Sequence, residues 1–223
     1  MTVDEIMTDL RTHGSENIKK VLVKHGIKEP FFGVKVEHLK SIQKRVKKDY
    51  QLSIGLFATG NADAMYLAGL IADPAKMTKA DLQRWAKQAL SNNISEYTVP
   101  ETTVQTPYAY ELALEWIESG KEHIAAAGWV TLNRLIALKP GIEPDLPALK
   151  SLLTKVTNSL HDSANRVRYT MNGFVIAVGK YVTALKSEAI AAAKKIGKVT
   201  VDMGGTACKV PDAIEYIKKG GKE

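Results

Sequence analysis

Cysteine is nearly absent: Cys208 is the only one in 223 residues. An intramolecular disulfide and a zinc site built from several cysteines are therefore both excluded. No stretch approaches the roughly eighteen apolar residues that a membrane-spanning helix needs. The amino terminus offers Asp4, Glu5 and Asp9 where a secretory leader would carry basic residues, so a reducing cytoplasm is the expected compartment. The five histidines, His13, His25, His38, His123 and His161, include no pair at the spacing that sets two ligands on one helix face. Neither a metal nor any other cofactor is expected. Acids are few where bases are many, and the net charge is +7.

The distribution of that charge says more than its size. Between residues 18 and 48, ten lysines or arginines face only Glu29 and Glu37, so this stretch carries +8 and the rest of the chain sums to about −1. A localised field of this sign points to a polyanionic partner, nucleic acid first and an anionic membrane surface second. A lysine-rich solvated surface is the alternative.

Runs that alternate like strands are few, and helical periodicity dominates. In Val36 to Lys48, Val36, Leu39, Ile42 and Val46 recur at steps of three or four, while Lys40, Lys44 and Lys47 fall on another face. A second helix is predicted over Ala62 to Ala72, ending before Asp73-Pro74 because the residue before proline is pushed out of helical dihedrals. Thr78 then opens a third, with Asp81 completing a Thr-x-x-acid capping pattern. Helix pairs follow at Pro107 to Ser119 with Lys121 to Leu138, closed by Lys139-Pro140-Gly141, then at 145–160 with 165–183 and at 186–197 with 211–219. First helices beginning near 62, 104, 145 and 186 give steps close to the roughly 40–47 residues of HEAT and armadillo units. The expected fold is all-α, a curved right-handed superhelix of HEAT-like pairs in one domain spanning 1–223, with a compact helical bundle as the alternative. Ile94 to Gln105 and Lys198 to Pro211 break the rhythm and read as connections.

Phe32-Gly33-Val34-Lys35 leads into the basic helix with Leu39 and Ile42, and Leu56-Phe57-Ala58-Thr59-Gly60 precedes the next helix. With Asp81-Leu-Gln-Arg-Trp-Ala-Lys and Trp116-Ile-Glu-Ser, this order resembles the AlkD-like DNA alkylation repair family over nearly the whole chain. The resemblance implies a HEAT-like solenoid whose concave basic face grips duplex DNA. Active members release N3- or N7-alkylated purines, using a carboxylate and flat aromatic rings to stabilise the oxocarbenium-like sugar, without flipping the base into a deep pocket. They carry a Trp with an Asp four positions later; here Tyr97 and Glu101 stand at that spacing, with Pro100 in the same turn. The family's arginine region reads His123 to Trp129, with no arginine before Arg134.

The candidate catalytic residues are thus Tyr97 and Glu101, or a packed tyrosine and an exposed acid. Lys40, Lys44 and Lys47 are the first phosphate contacts to consider. Arg166 and Arg168, beside Asn165, Tyr169 and Asn172, could form an anion-binding patch at a helix start, or Asn165 could be a cap with the arginines paired to neighbouring acids. Trp85 and Trp116 read as core, and Trp129 is the tryptophan most suited to face DNA. Cys208, in Gly204-Gly205-Thr206-Ala207-Cys208-Lys209, matches no phosphate-loop spacing and is expected to be a small buried residue. The expected partner is duplex DNA carrying alkylated bases, bound by a monomer, with or without excision. A helical scaffold for an acidic protein or RNA is the reading from another class.

Overall fold

The computed structural model describes residues 1–138 and 145–219, so the Lys139-Pro140-Gly141 stop lies outside the described residues. All regular elements among the described residues are helical. No helix among them is long and apolar enough to cross a membrane. The chain divides into two compact units, Met1–Tyr108 with Gly204–Thr206, and Ala109–Met203 with the chain from Ala207 onward.

The first unit contains α1 (Val3–Thr12), α2 (Glu16–Lys24), α3 (Val36–Val46), α4 (Tyr50–Ala58), α5 (Ala62–Ile71), α6 (Lys79–Gln88), a π-helical turn (Ile94–Thr98) and α7 (Val99–Thr103). Caps decide most of the starts. Thr2 with Glu5 and Thr78 with Asp81 form capping boxes, while Ser15, Asp49 and Asn61 each accept a backbone N–H of the first turn. Sequence reasoning assigns no element to α1, α2 or α4. Both α1 and α2 are amphipathic helices that it passed over, whereas α4 is apolar on nearly every side and shows no amphipathic period. The stretch Ile94 to Gln105, expected as an irregular connection, is helical through Thr103, first as a π turn and then as α7.

Helix α5 is the hub of this unit. Its sequence, Ala-Asp-Ala-Met-Tyr-Leu-Ala-Gly-Leu-Ile, is small enough to let α1, α3, α4, the π turn and α7 all pack on it. Trp85 of α6 lies flat on Phe57 of α4, ring centroids 4.1 Å apart and planes 5° from parallel, and both are core residues as expected for Trp85. Asp63 is the anomaly: an acid 6% exposed in an apolar helix. Its carboxylate accepts N–H groups from three consecutive residues, Phe32 at 2.6 Å, Gly33 at 3.0 Å and Val34 at 3.3 Å. Burial pushes its pKa above the ordinary carboxylate value, and the three donors pull the other way.

The second unit contains α8 (Ala109–Ile117), α9 (Glu122–Leu138), α10 (Leu146–Ser159), α11 (Asn165–Tyr181), a short 3-10 turn (Thr183–Leu185), α12 (Lys186–Ile196) and α13 (Ala213–Lys218). Helix α9 packs against both α8 and α11. Gly128 permits the first contact at backbone range, because a Cβ there would sit 2.6 Å from the Ile117 nitrogen. Trp129 and Phe174 meet at a tilt across α9 and α11, 5.1 Å between centroids and planes at 57°. Lys198 to Pro211 holds no helix, as expected.

Asp63→Ala leaves three backbone N–H groups without an acceptor and destabilises the protein by about 3 kcal/mol or more. Urea unfolding followed by circular dichroism measures this, and Asp63→Asn, which keeps one acceptor oxygen, loses less.

Candidate nucleic-acid interface

The Asp63 carboxylate fixes the Phe32-Gly33-Val34 segment, and that segment delivers α3. Leu39 and Ile42 bury the inner side of α3, Val46 is half-buried, and Val36, expected on the same side, is exposed. Lys40, Lys44 and Lys47 are all exposed, the first two one turn apart on α3 and Lys47 at its C-cap. Two other cations of the basic stretch are paired, Lys19 with Glu29 at 2.8 Å and Arg45 with Asp9 at 3.4 Å. No ion pair involves Lys40, Lys44 or Lys47 among the described residues. Lys47 ends α3 at φ 64° and ψ −126°, a backbone state that only glycine adopts without strain.

Tyr97 and Glu101 also lie in the first unit, and Pro100 does not separate them. Proline lacks an N–H and its ring crowds the carbonyl four residues back. Here the chain widens into the π turn, the Val99 N–H reaches Ile94 O, and α7 resumes with Pro100 in its first turn. Tyr97 is 40% exposed and stacks on Tyr66 of α5, centroids 5.5 Å apart and planes 11° from parallel. Burial, then the Tyr97 phenol and the Glu101 carboxylate, push the Tyr66 pKa up to about 12. The Glu101 carboxylate is thus within electrostatic reach of Tyr66. Gly69, one turn beyond Tyr66, lets the π turn approach, since a Cβ there would run into the Thr98 methyl group. Sequence reasoning missed Asp63, Tyr66 and Gly69. The available signal was an acid inside an apolar run, with polar and small residues following it at steps of three.

The candidates of the second unit are largely occupied by its own structure. Trp129 is 0% exposed, so it is a core residue and not a DNA-facing ring. Asn172 is 2% exposed and donates to Pro211 O at 2.9 Å, which removes it from the candidate interface. Asn165 caps nothing: Ala164 holds that position, and the Asn165 amide exchanges two bonds with the Asp202 backbone, at 2.9 and 2.7 Å. The N–H of Arg166, expected to attract an external anion, donates to Glu122 Oε1 at 2.7 Å. Its guanidinium lies over the Tyr169 ring, 4.4 Å from the centroid, while Arg168 reaches Asn165 Oδ1 at 3.4 Å. Arg166, Arg168 and Tyr169 are half-buried. Cys208 is exposed, contrary to the buried position expected, because the glycine-bearing segment around it forms no core element.

Two outcomes are expected. An ultraviolet titration shows one tyrosine ionising near pH 12, and Tyr97→Phe brings it part of the way back. Because this folded-state value lies above the ordinary 10.0, the associated stability is intact below pH 10 and is lost as pH rises toward 12. Lys47→Gly relieves the positive φ and raises stability by about 1 kcal/mol in urea unfolding.

A model of the DNA alkylation repair enzyme family matches residues 6–217. An uncharacterized protein of Listeria innocua serovar 6a is 34% identical over 98% of this chain and 97% of its own length. An uncharacterized protein of Listeria monocytogenes serovar 1/2a matches with the same identity and coverage. Among solved structures, one described as a new family of proteins related to the HEAT-like repeat DNA glycosylases, with affinity for branched DNA structures, superposes with a TM-score of 0.88. It is 33% identical, and the match covers 98% of this chain and 93% of that one. The fold is therefore the all-α, HEAT-like repeat architecture, and this chain belongs to the DNA alkylation repair enzyme family.

Proposed function

We propose that the chain binds DNA through its phosphates, without reading sequence, and prefers branched over linear duplex. The observation that carries this is the exposed row of Lys40, Lys44 and Lys47, which no carboxylate neutralises among the described residues. Such a row attracts a polyanion and releases the counterions condensed on it, a contribution that does not depend on base identity. The preference for branches rests on the 33% identity to the structure described as having affinity for branched DNA. Arg166, Arg168 and Tyr169 are further candidate contacts in the second unit. An acidic protein or RNA as partner is the competing reading from another class.

A second reading, excision of alkylated purines, is favoured by one arrangement: the stacked Tyr66 and Tyr97 rings, with the Glu101 carboxylate within electrostatic reach of Tyr66. The alkylated base is already a good leaving group. A carboxylate near the sugar and a ring face toward it stabilise the cationic transition state electrostatically. In this reading Glu101 is the catalytic carboxylate and Tyr97 the aromatic wall.

Fluorescence anisotropy with a four-way junction, a fork, a linear duplex and an RNA duplex separates these readings. The expected order is junction or fork first, then linear duplex. Each of Lys40→Glu, Lys44→Glu and Lys47→Glu weakens binding and lowers the salt slope by roughly 0.9 for every phosphate that is no longer neutralised. Equal affinity for all the DNAs removes the branch preference, and binding that salt and these variants leave unchanged removes the lysine row. Release of N7-methylguanine or N3-methyladenine from methylated DNA tests excision, which Glu101→Gln should abolish if the second reading holds.

A further inference from the structure

Three groups that bear metal-ligating atoms, far apart in sequence, come together on the first unit, with a chemistry distinct from that of Tyr97 and the lysine row. Asp9 lies near the end of α1, His13 is the residue on which α1 stops, and His38 lies in the first turns of α3. His13 Nδ1 is 2.8 Å from Asp9 Oδ1, and His38 Nε2 is 3.3 Å from the same oxygen. The two imidazoles stack, with centroids 3.7 Å apart and planes 20° from parallel. One ligand atom from each residue lies within 4.8 Å of the other two, the one such cluster of histidine, cysteine or acid among the described residues.

We propose that Asp9, His13 and His38 form a binding site for a divalent first-row transition metal, with zinc the best fit, which fastens the start of α3 to the end of α1. In a tetrahedral site with bonds of about 2.0–2.1 Å, neighbouring ligand atoms sit about 3.3 Å apart. The His38 Nε2 to Asp9 Oδ1 separation, 3.3 Å, already matches that spacing, while the 2.8 Å from His13 Nδ1 to the same oxygen would have to open by about half an ångström. His38 Nε2 is buried, makes no hydrogen bond and lies 3.3 Å from the Asp9 carboxylate, so coordination there displaces no existing bond. Arg45 holds Asp9 Oδ2 at 3.4 Å and leaves Oδ1 to the metal, an orienting role that carboxylate ligands commonly require. His13 Nδ1 now faces both Asp9 O, at 2.9 Å, and Oδ1. With two acceptor oxygens before it, Nδ1 carries the proton in the metal-free protein, so coordination at Nδ1 replaces the bond to Asp9 O and moves the ring proton to Nε2. A fourth position is left for water. The site also meets a structural need: α3 begins at Lys35 without any side-chain cap, and a metal held through His38 ties its first turns down. The proposal does not rest on the DNA-binding reading.

The test uses full-length, tag-free protein stripped by a chelator, then titrated with zinc alone against a chromophoric chelator and with cobalt alone by visible absorption. The expected result is one metal per chain and cobalt bands of a nitrogen- and oxygen-ligated site. His13→Ala, His38→Gln and Asp9→Asn each weaken zinc binding by about tenfold or more. His161→Ala, whose ring nitrogen meets Ile196 O in the second unit, leaves it unchanged. His13 has 49% of its side chain exposed, so His13→Ala folds normally and keeps the test decisive. Absence of saturable zinc binding by the wild type, or binding undiminished in His13→Ala, overturns the proposal.

Discussion

The Asp63 carboxylate, shut inside the first unit, takes up the backbone N–H groups of Phe32, Gly33 and Val34, and the placement of α3 follows from that. Burying a carboxylate is costly by itself, as the upward push on its pKa records. Leaving three consecutive amides without an acceptor would be costly as well, because a segment that turns into a helix has no ladder partner for them. One side chain resolves both needs. The same helix then supplies Tyr66 to stack on Tyr97 and Gly69 to admit the Thr98 methyl, so the basic helix and the aromatic-acid group are both referred to α5.

Much of the architecture is legible in the sequence. The helices at Val36, Ala62 and Lys79 and the later pairs follow from apolar periodicity and from caps such as Thr78 with Asp81, which the structure reproduces as a capping box. Periodicity is silent where a helix is apolar all round, as in α4, whereas α1, with Ile6 and Leu10 buried four residues apart, and α2 carry a helical period that sequence reasoning did not use. It misleads at Ile94 to Thr103, where Pro100 reads as a break. The chain absorbs that proline by adding a residue to the preceding turn, a solution that leaves no mark in hydrophobic spacing.

The site is less legible, for a reason common to both units. A polar side chain reads the same in sequence whether it faces solvent or satisfies a buried group. Asn165, Asn172 and Trp129 look like parts of an interface. The two amides instead hold Asp202 and Pro211 of the segment between α12 and α13, and the indole fills the core. Buried polar groups need partners, and long connections contain many of them, so such side chains are recruited inward. The lysines of α3 are legible because nothing inside a protein can use an unpaired ammonium group. The Asp9, His13 and His38 cluster is invisible in the sequence, since its members come from two helices joined only by folding.

The row on α3 is made of ammonium groups on long flexible stems, not of planar guanidinium forks. An ammonium group presents three rotatable donors and accepts an anion from almost any direction, whereas a fork demands a matching pair of oxygens. A strand lying against such a row has no preferred register. It can shift along the row by a fraction of a nucleotide at little energetic penalty, and it can bend or change direction without losing its anchors. If DNA lies on this row as proposed, grip and slippage come from the same three side chains.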